Sequence, residues 1–551
     1  MTRIGRLPLG RKGFRPGRDA RAVLHRAPAV SGPRRASGPD APRVVVVGGG
    51  IAGLAAACGL AERGIRVTLL EREEQLGGRV RSWPVTLADG SPATMSRGFH
   101  AFFRQYYNLR ALLRRADPTL SALAPVADYP LVLAGHPTDS FAKIPRTPPW
   151  NLAAFVVRSP SFPLRSLRHV DVAEALGLLD VRFPDIYSQL DGVSAAAVLD
   201  RLRFPHSARH LALEVFARSF FADPHDFSGA ELVAMFHMYF VGSAEGLLFD
   251  VPRDGYDDVL WAPLAGYLRG LGVDIRTGVS VESIEALGAP DGSTGSGGER
   301  FRVTTAAHAA SAEGMPRDLT AHAVVLATEL PALQRILGNS PSLGDAGWRD
   351  RIDAMTTSPP FVVWRLWLDR AAAPDRAAFL GTSGFGPVDN VSLVERFEGH
   401  AARWSAAHGG ASVVELHAYA VGPEWTEATL RERMRAELDR VYPELAGAQA
   451  LSQEWLWRQD CPLPSTRPWV LRPTVATPTP GLVLAGDAIR CDYPVALMER
   501  AATTGFLAAN TLLDGWHLPG HDLWTVPMTP RLGPLPGRLR RAWPARSADP
   551  A

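Results

Sequence analysis

Four consecutive valines at 44–47 run into Gly48-Gly49-Gly50 and then into IAGLAAACGLAERG, after which IRVTLLE resumes an apolar pattern. A short unbroken apolar run ended by glycine predicts a buried strand, and the alanine-rich stretch behind it predicts a helix. The order strand, helix, strand predicts a parallel βαβ unit. Further along, VDIRTGVSVESIEA and FRVTTAA carry strand patterns on either side of DGSTGSGGER at 291–300, which predicts a surface hairpin loop. Between these landmarks strands and helices alternate without an internal repeat, so the expected class is α/β with an inserted mixed α+β part. Residues 1–42 and the end from Pro527 are rich in Arg, Pro and Gly without apolar periodicity, which predicts a disordered basic arm and a flexible tail.

Two apolar segments need more than periodicity. In RGFHAFFRQYYNLR, residues 97–110, Phe99, Phe102, Phe103, Tyr106, Leu109 and the following Leu113 fall at i, i+3, i+4, i+7 spacing and predict one buried face of a helix. At 148–170, Trp150, Leu152, Phe155, Val156, Val157, Phe162, Leu164 and Leu167 are interleaved with Arg158, Arg165 and Arg168. That composition suits a membrane interface and equally an amphipathic helix packed on a neighbouring domain. Prolines at 145, 148, 149, 160 and 163 confine any helix there to one short piece. The uncharged run at 44–60, preceded by Arg34-Arg35, has the outline of a twin-arginine signal or a membrane span, but glycines at 48, 49, 50, 53 and 59 make it a poor one.

A chain of 551 residues exceeds what one hydrophobic core accommodates, so two packed units are expected. The net charge is +3 and the positive side is nearly all arginine, with Lys12 and Lys143 the only lysines; this is no nucleic-acid footprint. Cys58, Cys461 and Cys491 show neither a CxxC pair nor metal-ligand spacing, which points to a reducing, cytoplasmic address and to no metal site.

The chemistry lies in the glycines. Gly48-x-Gly50-x-x-Gly53 sits between the first strand and the helix, and Glu71 ends the second strand. The first glycine permits a tight turn, the second lets backbone approach a pyrophosphate, and the third lets helix pack on strand; an acid at the end of the second strand accepts from ribose hydroxyls. LGGRVRS at 76–82 resembles the GG-R-x-x-S/T signature of the amine-oxidase-like and carotenoid-desaturase-like flavoproteins. The resemblance implies FAD, with Gly77, Gly78 and Arg79 around its pyrophosphate and Arg72 beside Glu71 in the same set. TPGLVLAGDAIRCDYPVALMERAATTGFLAANTLL resembles the closing element of that superfamily. It implies Gly486 and Asp487 at the ribityl–phosphate part and a helix beginning near Pro494, with Val495 in its first turn. Val281 matches the position whose backbone meets adenine, and Gly98-Phe99 the point where the chain lies against the isoalloxazine ring.

MSRGFHAFFRQYYNLR is similar to the GLH-x-FF-x-x-Y-x-N element of plant-type carotene desaturases at Gly98, His100, Phe102, Phe103, Tyr107 and Asn108, and Asp492, Tyr493, Met498, Glu499 and Ala501 match their closing element. Arg500 in place of glycine and Asp487 in place of serine depart from those enzymes and point away from an acyclic carotene. The combination most resembles the actinobacterial carotenoid φ-ring synthases, over about 43–515. That resemblance implies desaturation of the β-ring of β-carotene with a 1,2-methyl shift to an aromatic ring, peripheral contact with the cytoplasmic membrane, and His100, Glu499 and Arg500 as polar candidates near the reacting ring. It names no terminal electron acceptor. The implied organisation is the arm at 1–42, FAD-binding parts at 43–100, 261–330 and 475–515, a helical substrate and membrane-contact insertion at 101–260, a second substrate part at 331–474, and the tail at 516–551. Three rival readings share the scaffold. An acyclic carotene desaturase or isomerase uses the same cofactor. An amine oxidase commonly places a lysine near the flavin, for which only Lys143 is available. A flavin-free prenyl-binding escort protein would not need the intact glycine motif, Glu71, Arg79 and Asp487.

Overall fold

The computed structural model describes residues 17–530 except 39, 143, 162–169, 204–217, 288–297 and 308–316, together with 533 and 537. The valines at 44–47 form the central strand, Arg43–Val47, of a five-stranded parallel sheet. Arg66–Leu70 and then Asp274–Arg276 lie on one side of it, and Ala323–Leu326 and then Leu482–Leu484 on the other. The helix Ile51–Ala61 is buried along its whole length, because the long closing helix Leu497–Gly515 covers its outer side. Small residues set that approach. A Cβ on Gly505 would meet the Ala52 carbonyl oxygen at 2.3 Å, and one on Gly59 would meet the Ala509 Cβ at 2.8 Å.

The expected hairpin is present as an antiparallel meander of Val279–Ala286, Phe301–Ala307 and Asp318–Ala321, with Ala286 opposite Phe301; most of the loop at 291–300 falls outside the described residues. The other half is built on a six-stranded sheet in the order Ala450–Arg458, Phe361–Leu368, Val413–Ala418, Asn390–Leu393, Phe379–Ser383 and Leu131–Leu133. Helix Glu427–Val441 seals one face of it through Leu430, Met434 and Leu438. The opposite face turns toward the nucleotide-binding half, where Arg365 reaches the Thr94 carbonyl.

Several expectations need correction. The arm and tail are not structureless where described: Val23–His25 pairs with Leu523–Thr525, and the Trp524 backbone exchanges hydrogen bonds with the Asn108 side chain. Each strand is only three residues long, too short to leave a periodic signature; residues 1–16 lie outside the described residues. The aromatic segment is not one helix. Phe102–Phe103 is a strand paired with Phe249–Asp250, and the helix covers only Tyr107–Leu113. Asp250 accepts from both Arg104 and Arg110 and fixes that pairing. The segment 331–353, expected in the substrate part, packs on the nucleotide half: Arg335 donates to the Val281 carbonyl and Ser340 accepts from the Ile284 amide. Of the stretch 148–170, Trp150–Arg158 is helical and 162–169 is outside the described residues. No helix among the described residues is long and apolar enough to cross a membrane.

The tight helix crossing gives a test. Gly505→Ala is expected to cost about 1–3 kcal/mol by overpacking. Gly515→Ala, at a position with open space around it, is expected to be neutral or stabilising by up to about 1 kcal/mol. Thermal unfolding midpoints of the two variants decide it; equal midpoints would contradict the crossing described here.

Candidate functional site

The glycine turn is shaped by backbone contact. Gly48 has φ +103° and a Cβ there would meet the Ala327 carbonyl oxygen at 2.5 Å, so no larger residue fits. The Gly49 amide donates to Glu71 Oε2 at 2.6 Å, and the Glu73 amide donates to Glu71 Oε1 at 2.9 Å. Burial pushes the Glu71 carboxyl up, against these two amides. The Gly77-Gly78 pair docks on the turn through the Gly77 amide, which donates to the Gly49 carbonyl at 2.9 Å. Trp261 fills the space beneath it, its indole N–H donating to the Val80 carbonyl at 2.5 Å. From this pair Arg79 reaches across to the Asp487 carboxylate, and the Gly486 amide donates to Thr504 Oγ1 at 2.9 Å.

These parts form one end of a cavity of about 610 Å³. Val47, Gly48, Gly50, Glu71, Arg72, Gly78, Arg79, Val281, Gly486 and Asp487 line it. Thr328 Oγ1, also on its wall, is buried with no hydrogen-bond partner among the described residues. The exposed backbone of Gly50 and Gly78, the N-terminus of helix Ile51–Ala61, the Arg79 guanidinium and an unsatisfied hydroxyl together suit a pyrophosphate-linked dinucleotide. The same cavity continues between Phe99, Phe103, Tyr129 and Phe249 and reaches Phe141, Ile144 and Asn151. Phe99 lies 5.9 Å from Phe249 and 6.2 Å from Tyr129 between ring centroids, and Phe103 lies 5.3 Å from Phe249. A polar cradle thus opens into an aromatic slot.

The arginines bracketing the aromatic segment hold it from behind. Arg97 makes a buried bidentate pair with Asp460 at 2.7 and 2.6 Å, and Arg110 pairs with Asp250 at 2.7 Å. Gly98, at φ +93°, packs so closely on His417 that a Cβ would lie 2.8 Å from its ring, and its carbonyl accepts from the Tyr256 hydroxyl at 2.8 Å.

Of the three polar candidates, His100 lines the large cavity, whereas Glu499 and Arg500 do not. His100 Nδ1 donates to the Gly98 carbonyl at 2.8 Å, and burial pulls its pKa down to about 4, so the ring is neutral near pH 7. Glu499 accepts the amides of Asn108 and Leu109 at 2.8 and 2.9 Å, and so caps helix Tyr107–Leu113. Burial pushes its carboxyl up to about 8. Arg500 is spent on Glu231, at 3.0 and 2.7 Å, and on the Val495 carbonyl at 3.1 Å. The reason is register. The closing helix starts at Leu497 rather than near Pro494, after the extended Ala496, and Leu497 itself has φ +51°. Leu497, Met498 and Ala501 therefore face the large cavity while Glu499 and Arg500 point elsewhere. Val495 is buried outside the large cavity's wall.

Sequence reasoning missed Trp261, Asp250, Asp460 and a cluster of Arg365, Glu415 and His417. Arg365, Glu415 and His417 are charged or polar residues inside otherwise apolar strands, all buried, and that interruption was the available signal.

Comparison with known proteins fits this geometry. The family model described as flavin containing amine oxidoreductase matches residues 51–513. A Streptomyces griseus protein named carotenoid phi-ring synthase is 52% identical over 94% of this chain and 96% of its own length. A Chlorobaculum tepidum protein of the same name is 25% identical over 88% of this chain and 90% of its own. Among solved structures, a triple mutant of putrescine oxidase superposes with a TM-score of 0.59 at 17% identity, covering 86% of this chain and 99% of that one; this likeness speaks to fold. The cofactor is FAD. Arg79→Ala is expected to weaken its retention, read as a lower ratio of flavin to protein absorbance after purification; full occupancy would contradict a phosphate-binding role for Arg79.

Proposed function

Because this chain belongs to the flavin containing amine oxidoreductase family, we propose that its FAD-dependent oxidation acts on a carotenoid end ring, converting the β-ring of β-carotene to an aromatic φ-ring with migration of one geminal methyl. The observation that carries the reading is the single cavity joining the dinucleotide cradle to a slot walled by Phe99, Phe103, Tyr129 and Phe249. Extended similarity to the Streptomyces griseus protein of that name supports the choice of ring chemistry.

The bound FAD supplies a two-electron oxidant at the cradle's inner end. Gly50, Gly78 and Arg79 would hold its pyrophosphate, Glu71 a ribose, the Val281 backbone its adenine, Gly486 and Asp487 its ribityl chain, and Gly98-Phe99 would lie against its tricyclic ring. The aromatic slot orients a flat hydrocarbon ring, excludes water, and stabilises positive charge on that ring through the faces of Phe99, Phe103 and Tyr129. A quaternary ring carbon bars aromaticity until one methyl moves to its neighbour. In all the ring gives up four hydrogens, as two hydride equivalents and two protons, so the cofactor must be reoxidised by an electron acceptor between two rounds, and no external methyl donor is consumed. His100, neutral and on the cavity wall, would contact the substrate.

Expression in a β-carotene-accumulating host should yield pigment with aromatic ring protons by NMR and a mass showing loss of hydrogen without gain of carbon. A linear, further dehydrogenated carotene would overturn the reading in favour of an acyclic desaturase.

Delivery of so apolar a substrate calls for contact with a bilayer from the cytoplasmic side. The helix Trp150–Arg158 buries Asn151 and Phe155, with Asn151 on the cavity wall, and leaves Trp150 68% and Val157 72% exposed. An exposed tryptophan and valine on a helix that also lines the cavity are what an interfacial anchor requires. The double variant Trp150→Glu, Val157→Glu should keep its flavin but lose co-sedimentation with anionic phospholipid vesicles; unchanged sedimentation would remove this helix from the membrane contact.

A further inference from the structure

The strand Val413–Ala418 carries Glu415 and His417 on one face, and Tyr419 follows at the next position of the same alternation. His417 and Tyr419 line the large cavity together with Phe361, Val363 and Cys461. His417 Nε2 lies 2.8 Å from Glu415 Oε1, and His417 Nδ1 lies 2.5 Å from the Tyr419 hydroxyl. Arg365 donates twice to Glu415 Oε2, at 2.9 and 2.7 Å. Burial alone would push the Glu415 carboxyl up, but the Arg365 charge outweighs it and holds it at about 2. An ionised carboxylate only accepts, so His417 Nε2 carries the proton and donates. The lone pair is therefore on Nδ1, and the phenol of Tyr419 is the donor to it. Each tautomer and direction along Tyr419, His417, Glu415 and Arg365 is fixed by the one behind it.

This arrangement differs from that of His100, whose Nδ1 is spent on the Gly98 carbonyl and whose charged neighbours, after burial, are Arg97 and Arg79. A proton arriving on His100 meets positive charge. A proton arriving on His417 meets the Glu415 carboxylate.

We propose that Tyr419 is the catalytic residue that takes a ring proton during the aromatisation, passing its own phenolic proton to His417, with Glu415 and Arg365 as positioning residues. The proposal rests on the function proposed above. In the step, a C–H bond beside the cationic ring carbon breaks and its electron pair becomes the new C=C bond. The proton goes to the Tyr419 oxygen while the phenolic proton goes to His417 Nδ1. The positive charge moves from substrate to an imidazolium facing Glu415, and no electron is gained or lost; the oxidation that creates the cation belongs to the FAD chemistry already assigned.

The test follows flavin absorbance in holoenzyme mixed anaerobically with β-carotene in phospholipid vesicles, and analyses product quenched from a parallel reaction with an added quinone acceptor, because each ring gives up four electrons and each FAD accepts two. Tyr419→Phe keeps the ring and removes the hydroxyl. It should bleach flavin at the wild-type rate while aromatic product falls by about 10²- to 10⁴-fold. Glu415→Gln should show the same split, and Glu415→Asp, which keeps the charge, should recover part of the product. In ¹⁵N-histidine-labelled protein, with the signal assigned by its loss in His417→Gln, the Nδ1 resonance should move downfield in Tyr419→Phe. Aromatic product at the wild-type rate in Tyr419→Phe, loss of flavin bleaching together with product, or an unmoved Nδ1 signal would each overturn the relay while leaving the proposed function standing. A wild-type enzyme that leaves β-carotene rings unaltered would overturn both.

Discussion

Around the wall of the cavity, arginine is paired with carboxylate at several points where a charged side chain would otherwise intrude on an apolar slot. Arg97 with Asp460, Arg104 and Arg110 with Asp250, Arg365 with Glu415, and Arg500 with Glu231 are all pairs of this kind, with at least one partner buried. Buried charge without a partner is costly, and removing one member of such a pair typically costs about 3–5 kcal/mol. The pairs are therefore constraints more than reserves of stability: they dictate where the aromatic segment runs, because the arginines before and after it must reach fixed carboxylates on other elements.

Around that constraint the two halves divide the chemistry. The parallel sheet ends in glycine turns whose backbone lies open to an anionic dinucleotide, and the closing helix packs tightly enough on the first helix to hold Gly486 and Asp487 against them. The six-stranded sheet contributes a face on which Arg365, Glu415 and His417 stand together beside Phe361, Val363 and Trp367. Phe99 and Gly98 lie at the seam. Gly98 is forced to be small by His417, and its carbonyl is the common acceptor for Tyr256 and His100. The geometry thus links the segment that meets the cofactor to the polar chain on the facing sheet through one backbone group.

Much of this was legible in the chain itself, and the limits have physical causes. Gly48, Gly53, Gly77 and Gly78 announce themselves because local backbone geometry disfavours anything larger, and Gly50 because its bare backbone faces the cavity; Glu71 follows at a distance set by one helix and one strand. Register along the closing helix was not legible. A start three residues later than Pro494 turns Leu497 and Met498 to the cavity and sends Glu499 to the amides of Asn108 and Leu109. The aromatic segment misled through its spacing, since the same i, i+3, i+4 pattern is compatible with a strand followed by a short helix when Asp250, far away in sequence, supplies the pairing. The arm and tail stayed hidden because a three-residue strand buries too little to leave a pattern. Glu415 and His417 interrupt an apolar run and were missed, and their meaning required Arg365 on the neighbouring strand and Tyr419 two residues on.

The central claim is that one dry cavity holds FAD and a carotenoid end ring in contact. The most direct measurement is a structure of the FAD-loaded protein with β-carotene or its product bound. The end ring should lie against the tricyclic face of the flavin between Phe99, Phe103, Tyr129 and Phe249, with the pyrophosphate at Gly50, Gly78 and Arg79. A carotenoid ring bound elsewhere, or a slot filled with ordered water beside the flavin, would contradict it.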